Sequence, residues 1–296
     1  MIRTFFKLIV FIFSFSFFAS AVFAESHTYS AFHVKVTGKG QPVILIPGAT
    51  CSGDEWNETV AHLAGKYECH VLTLAGYAGT QPLDKGPYLE TIKNQIEQYI
   101  SDKKLDHVIL IGHSIGGYLS LCIATDMKDH LQKVVIVDAM PFFAGAQNPA
   151  AADTFSESQA KRMLSIYEKM DNEAITAYQL NAAKFLCRDS THWSTIAKWG
   201  GSSDRKTLAY TLCEMLGSDI RSNIARINIP VLVLAAYCKM PQYPSFTRES
   251  VMETYTDQYK NCSKCTVHTT PDNARHFIMY DAPEWYYNEI DTFLKS

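Results

Sequence analysis

Short apolar runs alternate with longer segments of helical periodicity along most of the chain. The runs are rich in Val, Ile and Leu, and most are followed by a small residue, a turn-forming residue or an aspartate. Such nearly continuous apolar runs are typical of parallel strands that are buried on both faces of a sheet. The pattern predicts six strands, at 43–46, 70–74, 108–111, 134–137, 231–235 and 266–269.

Helical periodicity fills the intervals between these runs. It predicts helices at 55–65, 88–103, 115–127, 245–259 and 284–294. Strand and helix in alternation predict an α/β fold, in which helices flank both faces of a mostly parallel sheet.

One long interval breaks the alternation. From Met140 to about Asn228 the sequence shows no convincing strand. Three helices are predicted within it, at 157–170, 172–186 and 206–216. We interpret residues 140–228 as a helical cap, inserted into a core formed by residues 25–139 and 229–296. The dipeptides Asn148-Pro149 and Gly200-Gly201 predict breaks inside this cap.

The first 24 residues have the pattern of a secretory signal peptide. Arg3 and Lys7 form a basic start, an apolar run covers 8–18, and the segment ends in Val22-Phe23-Ala24. The pattern predicts cleavage near Glu25 and export to the periplasm or the external medium. An uncleaved membrane anchor is the alternative.

The composition of the full chain is that of an ordinary soluble globular protein, with 47% hydrophobic residues, 19% charged residues and a formal net charge of −3. No basic tract is present, so we predict no nucleic-acid partner and no stable membrane association after signal cleavage. Nothing resembles a phosphate-binding loop or a set of metal ligands, so neither a cofactor nor a metal is predicted. Cys262 and Cys265 predict either a local disulfide or two free thiols.

The segment from Gly112 to Gly116 joins the third predicted strand to an apolar helix, and it reads G-x-S-x-G. In this motif the serine sits on a very tight strand-to-helix turn, so the positions two before and two after it must lack bulk. The helix N-terminus behind the turn favours the negative charge that develops during nucleophilic attack. The motif predicts Ser114 as a nucleophile.

A nucleophilic serine hydroxyl needs a general base. His276 follows the last predicted strand and precedes the C-terminal helix, which places it at the carboxyl edge of the sheet. His113 is adjacent to the nucleophile in sequence. The other eight histidines lie on or beside predicted strands and helices, or near the predicted mature terminus. We therefore predict His276 as the base.

Together these segments resemble the α/β-hydrolase superfamily over nearly all of the mature chain. Residues 43–48 resemble its oxyanion strand and turn, 112–117 its nucleophile elbow, and 275–284 its catalytic-histidine loop and final helix. The resemblance implies a serine hydrolase with an oxyanion hole made by two backbone N–H groups, those of Ala49 and Ile115.

The catalytic acid is where the sequence departs from the common pattern of that superfamily. Most relatives carry it just after the strand that follows the cap, but residues 235–245 contain neither Asp nor Glu. Asp138 ends the strand beside the nucleophile strand, and we predict it as the acid that orients the imidazole of the base. Glu249 and Asp272 are the alternatives.

Aromatic side chains concentrate in the predicted cap and could either line a pocket or pack the cap helices. The predicted pocket residues are Phe142, Phe143, Trp193 and Trp199, and Tyr178 and Phe185 add further aromatic bulk. Their apolar character favours a small, mostly apolar substrate. Ester hydrolysis is expected by analogy with the commonest serine chemistry of the fold. The alternatives are an aminopeptidase, a lactonase, a thioesterase, a carbon–carbon hydrolase or a catalytically silent ligand-binding relative.

Overall fold

A computed structural model describes residues 29–148, 151, 153–240, 242, 244–271 and 273–296. The predicted signal peptide and Asp272 therefore lie outside the described residues. Within the described ranges, no helix combines the length and the apolar character that crossing a membrane requires.

A seven-stranded sheet forms the centre of the molecule. Its strands are β1 (Phe32–Gly38), β2 (Gln41–Ile46), β3 (Tyr67–Leu74), β4 (Val108–His113), β5 (Leu131–Val137), β6 (Val231–Ala235) and β7 (Cys265–Thr269). They lie in the order β1-β3-β2-β4-β5-β6-β7, and every neighbouring pair is parallel except β1 and β3. The predicted fold class, a mostly parallel sheet flanked by helices, is confirmed.

Eleven helices are found in the described part of the chain. The helices outside the cap interval are α1 (Asn57–Leu63), α2 (Tyr88–Asp102), α3 (Ile115–Asp126), α9 (Arg248–Tyr259), α10 (Ile278–Asp281) and α11 (Pro283–Lys295). Those between β5 and β6 are α4 (Phe143–Gln147), α5 (Glu157–Glu168), α6 (Asn172–Leu186), α7 (Trp193–Ser202) and α8 (Arg205–Leu216). Short 3₁₀ turns occupy Gly53–Trp56 and Asn223–Arg226.

The buried side chains form one large cluster on each face of the sheet. Successive residues of a strand point to opposite faces, so Ile44 and Ile46 belong to one cluster and Val43 and Leu45 to the other. Helices α2, α3 and α9 contribute to the first cluster, and α1 and α11 contribute to the second. Burial on both faces explains why β2, β4, β5 and β6 read as continuous apolar runs.

The helices between β5 and β6 share buried surface with the sheet. Ala183 on α6 and Ile196 on α7 belong to the same buried cluster as Val135 and Leu232 of the sheet. A smaller cluster, which includes Tyr167 on α5, holds the outer helices of this segment together. The segment is thus packed directly over one region of the sheet.

The predicted break at Gly200-Gly201 is wrong, because both glycines lie within α7. A side chain at Gly200 would bring its Cβ to 2.5 Å from Oε1 of Gln179 on α6. Glycine at this position therefore permits a close approach of α7 to α6, and tertiary packing outweighs the low helix propensity of glycine.

Candidate active site

Five loops meet at the carboxyl edge of the sheet. Ala49 follows β2, Ser114 follows β4, Asp138 follows β5, Ala236 follows β6, and His276 lies in the loop after β7. The carboxyl ends of parallel strands meet at one edge of a sheet, which is where open α/β sheets bind ligands. All five residues line a single cavity of about 540 Å³.

The turn at Ser114 is held in a conformation that few non-glycine residues adopt. Ser114 has φ 53° and ψ −121° and immediately precedes α3. A Cβ at Gly112 would lie 2.3 Å from the carbonyl oxygen of Gly116, and a Cβ at Gly116 would lie 2.2 Å from the carbonyl oxygen of Ile46. These contacts explain why the motif needs glycine on both sides of the serine.

His276 is hydrogen-bonded to Asp138. The Nδ1–H of His276 donates to Oδ2 of Asp138 at 2.6 Å. The other carboxylate oxygen, Oδ1, accepts from the backbone N–H of Ala236 at 2.8 Å and from the hydroxyl of Tyr255 at 2.7 Å. With Nδ1 carrying the proton, Nε2 of the neutral ring is left as an acceptor.

The ionisation of Asp138 follows from these contacts. Burial disfavours the charged carboxylate and by itself would raise the pKa of Asp138. The hydrogen bond and positive charge of His276, together with the donors Tyr255 and Ala236, outweigh this effect and lower the pKa below its ordinary value. Asp138 is therefore a carboxylate at neutral pH.

The two alternative acids are not brought to this position by the described part of the structure. Glu249 lies exposed in the first turn of α9 and does not line the cavity. Asp272 falls outside the described residues. Asp138 is the carboxylate that contacts His276.

The backbone N–H groups of Ala49 and Ile115 flank Ser114. Ala49 lines the cavity beside Ser114, and Ile115 is the first residue of α3. Among the described residues, neither N–H has a hydrogen-bond acceptor. Both groups are therefore available to an oxygen atom bound in the cavity, and the N-terminus of α3 adds favourable electrostatic potential there.

A second buried pair lies beneath the elbow and includes a residue that sequence reasoning missed. His113 Nδ1 is 2.6 Å from Oε1 of Glu55, and both side chains are almost completely inaccessible to solvent. Oε2 of Glu55 accepts from the backbone N–H of Gly48 at 3.0 Å. His113 Nε2 donates to the carbonyl oxygen of His276 at 3.0 Å.

Burial of His113 disfavours its charged form, but the adjacent Glu55 carboxylate outweighs burial and raises the pKa of His113. The pair connects the turn after β2, the nucleophile elbow and the histidine loop. No sequence signal identified Glu55, because it lies in what reads as the start of an amphipathic helix.

The predicted pocket residues divide into two groups. Phe143 lines the cavity, as do Tyr178 and Phe185. The predictions for Phe142, Trp193 and Trp199 are corrected, because none of these residues lines it.

Each of the three is engaged elsewhere. The ring of Phe142 lies 4.9 Å from the Arg221 guanidinium. The indole N–H of Trp193 donates to the carbonyl of Cys187. Trp199 packs against the buried cluster that α1 and α11 cover.

Most of the remaining cavity wall is apolar. The contributing side chains that sequence reasoning missed come from loops and from the helices between β5 and β6, and include Met140, Leu208, Leu212, Met215, Met240 and Phe246. They carry no chemical signature in the sequence, because apolar residues look alike whether they face a cavity or the core. Among the described residues, no cluster of His, Cys, Asp and Glu could hold a metal ion.

Comparison with curated proteins finds partial matches to hydrolytic enzymes. The chain is 30% identical over 114 residues to a pimeloyl-[acyl-carrier protein] methyl ester esterase of Vibrio cholerae, covering 38% of this chain and 43% of the relative. It is 27% identical over 109 residues to a soluble epoxide hydrolase of Corynebacterium sp., covering 37% and 38% of the two chains. The aligned region thus spans less than half the length of either relative.

Solved structures share the fold over nearly the whole described chain. A thermophilic esterase from Thermogutta terrifontis superimposes with a TM-score of 0.70 at 17% identity, covering 89% of this chain and 93% of the other. An enol-lactonase from Burkholderia xenovorans also gives a TM-score of 0.70, at 15% identity, covering 90% and 96%.

The family model described as "Alpha/beta hydrolase family" matches residues 43–289. This span includes the loop after β2, the elbow at Ser114, Asp138 and the His276 loop. On this match the chain belongs to the alpha/beta hydrolase family.

Proposed function

We propose that the protein is a serine hydrolase that cleaves esters of small, mostly apolar acids. The observation that carries the proposal is the 2.6 Å hydrogen bond between His276 and Asp138 at the edge of the cavity that Ser114 also lines. A serine on a strained elbow, an oriented imidazole and two free backbone donors are the groups that acyl transfer requires.

The proposed mechanism assigns each step to a named atom. As the Ser114 Oγ bonds to the ester carbonyl carbon, His276 Nε2 takes its proton, and Asp138 stabilises the imidazolium. The N–H groups of Ala49 and Ile115 donate to the oxyanion. The intermediate then expels the alcohol, which receives the proton from His276 and leaves an acyl-enzyme. Water attacks the acyl group by the same route and releases the acid and free Ser114.

Two further observations support ester hydrolysis, and a third supports the proposal that the protein is exported. The apolar cavity wall suits an acyl chain, and the curated relatives include an enzyme named as a methyl ester esterase. Cys262 and Cys265 form a disulfide, which is typical of proteins in an oxidising compartment. This agrees with the proposed signal peptide at residues 1–24.

Hydrolysis of p-nitrophenyl butyrate by the mature protein tests the proposal. We expect Ser114→Ala to abolish turnover and labelling by a fluorophosphonate probe. Asp138→Asn should lower kcat by about 10³- to 10⁴-fold, because the amide no longer holds the imidazole in the required tautomer. Ser101→Ala, at an exposed position on α2, is the matched control and should leave kcat unchanged.

The outcomes separate the parts of the proposal. Absence of both turnover and fluorophosphonate labelling in the wild type would overturn the serine mechanism. Full activity of Asp138→Asn would leave Ser114 as the nucleophile but would remove Asp138 from the mechanism, and Asp272 would be the next residue to substitute.

A further inference from the structure

Gln179 on α6 places a buried amide in the wall of the cavity. The residue is only 8% exposed, and it lines the cavity together with Ser114 and His276. Most of the residues that line the cavity with it are apolar, among them Ala183 and Leu208. No described residue forms a hydrogen bond with the Gln179 amide.

An amide in this position is costly unless it has a partner. Buried polar side chains in native proteins are nearly always hydrogen-bonded, and an exception calls for a specific explanation. Here the polar atoms of the amide keep some access to solvent beside a cavity large enough for a substrate of moderate size, so a ligand that fills the cavity must replace water as their partner. A ligand in the cavity is the partner that this geometry offers.

The neighbouring helix α7 approaches the Gln179 amide closely at Gly200. A Cβ at Gly200 would lie 2.5 Å from Oε1 and 2.6 Å from Cδ of Gln179. Any larger residue at Gly200 would therefore displace the amide. The Gln179 side chain on α6 thus packs closely against α7 at Gly200.

We propose that Gln179 binds an uncharged hydrogen-bonding group, a carbonyl or a hydroxyl, carried on the acyl chain of the substrate. The inference rests on the proposed ester hydrolysis and narrows its substrate class to esters of small acids that carry an oxo or hydroxy substituent. A primary amide both donates and accepts hydrogen bonds, so it matches either group.

A carboxylate fits this part of the cavity less well. The apolar wall around Gln179 disfavours an unpaired charge. Arg275 also lines the cavity, but its guanidinium donates to the backbone carbonyl of Lys184 and to that extent is already engaged. We assign recognition of the substituent to the neutral amide of Gln179, and the charged ester described below tests Arg275 as the alternative.

Competition between matched esters tests the inference. The kcat/KM of p-nitrophenyl hexanoate is compared with those of the isomeric p-nitrophenyl oxohexanoates. We expect one isomer to be preferred by about tenfold, the value of one neutral hydrogen bond. In Gln179→Leu that ratio should fall to about one. Gly200→Ala should also lower this preference ratio, because the added methyl group displaces the amide.

Gln258→Leu is the matched control. Gln258 is also buried on an α-helix, with its Oε1 unpartnered among the described residues, but it does not line the cavity. Its substitution should leave the preference ratio at the wild-type value. Because each ratio is measured within one variant, a general loss of stability does not alter it.

The possible failures are distinguishable. Turnover of hexanoate with no preference for any oxohexanoate, or a preference that survives Gln179→Leu, overturns the inference and leaves the ester hydrolase standing. The p-nitrophenyl monoester of adipic acid carries a terminal carboxylate. If the protein prefers this ester to the oxohexanoates, the inference is overturned, because the cavity then recognises a charge. Absence of all turnover and of fluorophosphonate labelling overturns the proposed function, and the inference with it.

Discussion

Both carboxylate oxygens of Asp138 accept hydrogen bonds from neighbouring residues. One oxygen accepts from His276, and the other accepts from a backbone amide and from Tyr255. These three donors fix the plane of the carboxylate, and the plane in turn fixes the direction of the His276 ring. Tyr255 thus acts on the proposed reaction through Asp138 without needing to touch the substrate.

Removing the Tyr255 hydroxyl should weaken the reaction without abolishing it. We expect Tyr255→Phe to lower kcat by about tenfold, because a hydrogen bond to a charged group is worth about 1.5–3 kcal/mol and tenfold in rate corresponds to about 1.4 kcal/mol. Steady-state hydrolysis of p-nitrophenyl butyrate measures this effect.

Tyr259→Phe is the control for that substitution. Tyr259 is also buried on α9, and its hydroxyl donates to the carbonyl of Ala139 at 2.8 Å instead of to Asp138. Its loss should lower stability but leave kcat near the wild-type value. Equal kcat values for the two variants would show that the Tyr255 hydroxyl does not act through Asp138.

Sequence reasoning reached Asp138 but not Tyr255 or Glu55, and the difference has a physical cause. Asp138 directly follows β5, which lies next to β4, so its position follows from the order of elements. Tyr255 meets Asp138 across 117 residues of sequence, and Glu55 meets His113 through packing beneath the elbow. Contacts of this kind depend on how helices rest on the sheet, which local pattern does not encode.

At the scale of elements, the buried strands were predictable and the edge strand was not. Strands β2 to β7 overlap the six predicted runs. Strand β1 was missed, because it pairs with β3 alone and most of its side chains are exposed. An edge strand with one neighbour needs no continuous apolar run. The short helix α4 was missed as well, and α7 was missed because its packing against α6 outweighs the low helix propensity of its glycines.

The C-terminal helix α11 is attached to the sheet by a buried amine. Lys133 on β5 donates from Nζ to the carbonyl of Phe293 at 2.7 Å and to that of Leu294 at 3.2 Å. The last carbonyls of a helix have no partner within the helix, and a cation there is favourable. Lys133 therefore serves as the cap of α11.

We expect Lys133→Met to lower the free energy of unfolding by about 1–3 kcal/mol, because the carbonyls at the end of α11 lose their donor while remaining partly buried. Urea denaturation measures the change. Lys295→Met should change stability by less than about 1 kcal/mol, since Lys295 forms an exposed pair with Asp291. Equal effects of the two substitutions would contradict the capping role.

At the scale of the whole molecule, the Asp138–His276 pair and the Glu55–His113 pair give stability a defined dependence on pH. The lowered pKa of Asp138 contributes stability that is present above about pH 4 and is lost as the pH falls through the folded-state pKa. The raised pKa of His113 contributes stability that is present below about pH 6.5 and is lost as the pH rises through the folded-state value. The chain should therefore be most stable between these limits.

Glu55→Gln tests the alkaline side of this profile. Without the carboxylate, the pKa of His113 is no longer raised, so the decline in unfolding free energy above about pH 6.5 should become shallower than in the wild type. Urea denaturation at a series of pH values provides the comparison. Glu58→Gln, at an exposed position on α1, should keep the wild-type slope. Parallel curves for the wild type and Glu55→Gln would rule out the coupling between Glu55 and His113.

The backbone at Ser114 has an evolutionary consequence. Its φ of 53° with ψ of −121° suits glycine and costs a serine about 1–3 kcal/mol. Selection for stability and selection for activity therefore act in opposite directions on residue 114. In a lineage that no longer needed the reaction, a change to glycine would spread by drift or even be favoured. Residue 114 in homologous genes is thus a record of whether the activity is still under selection.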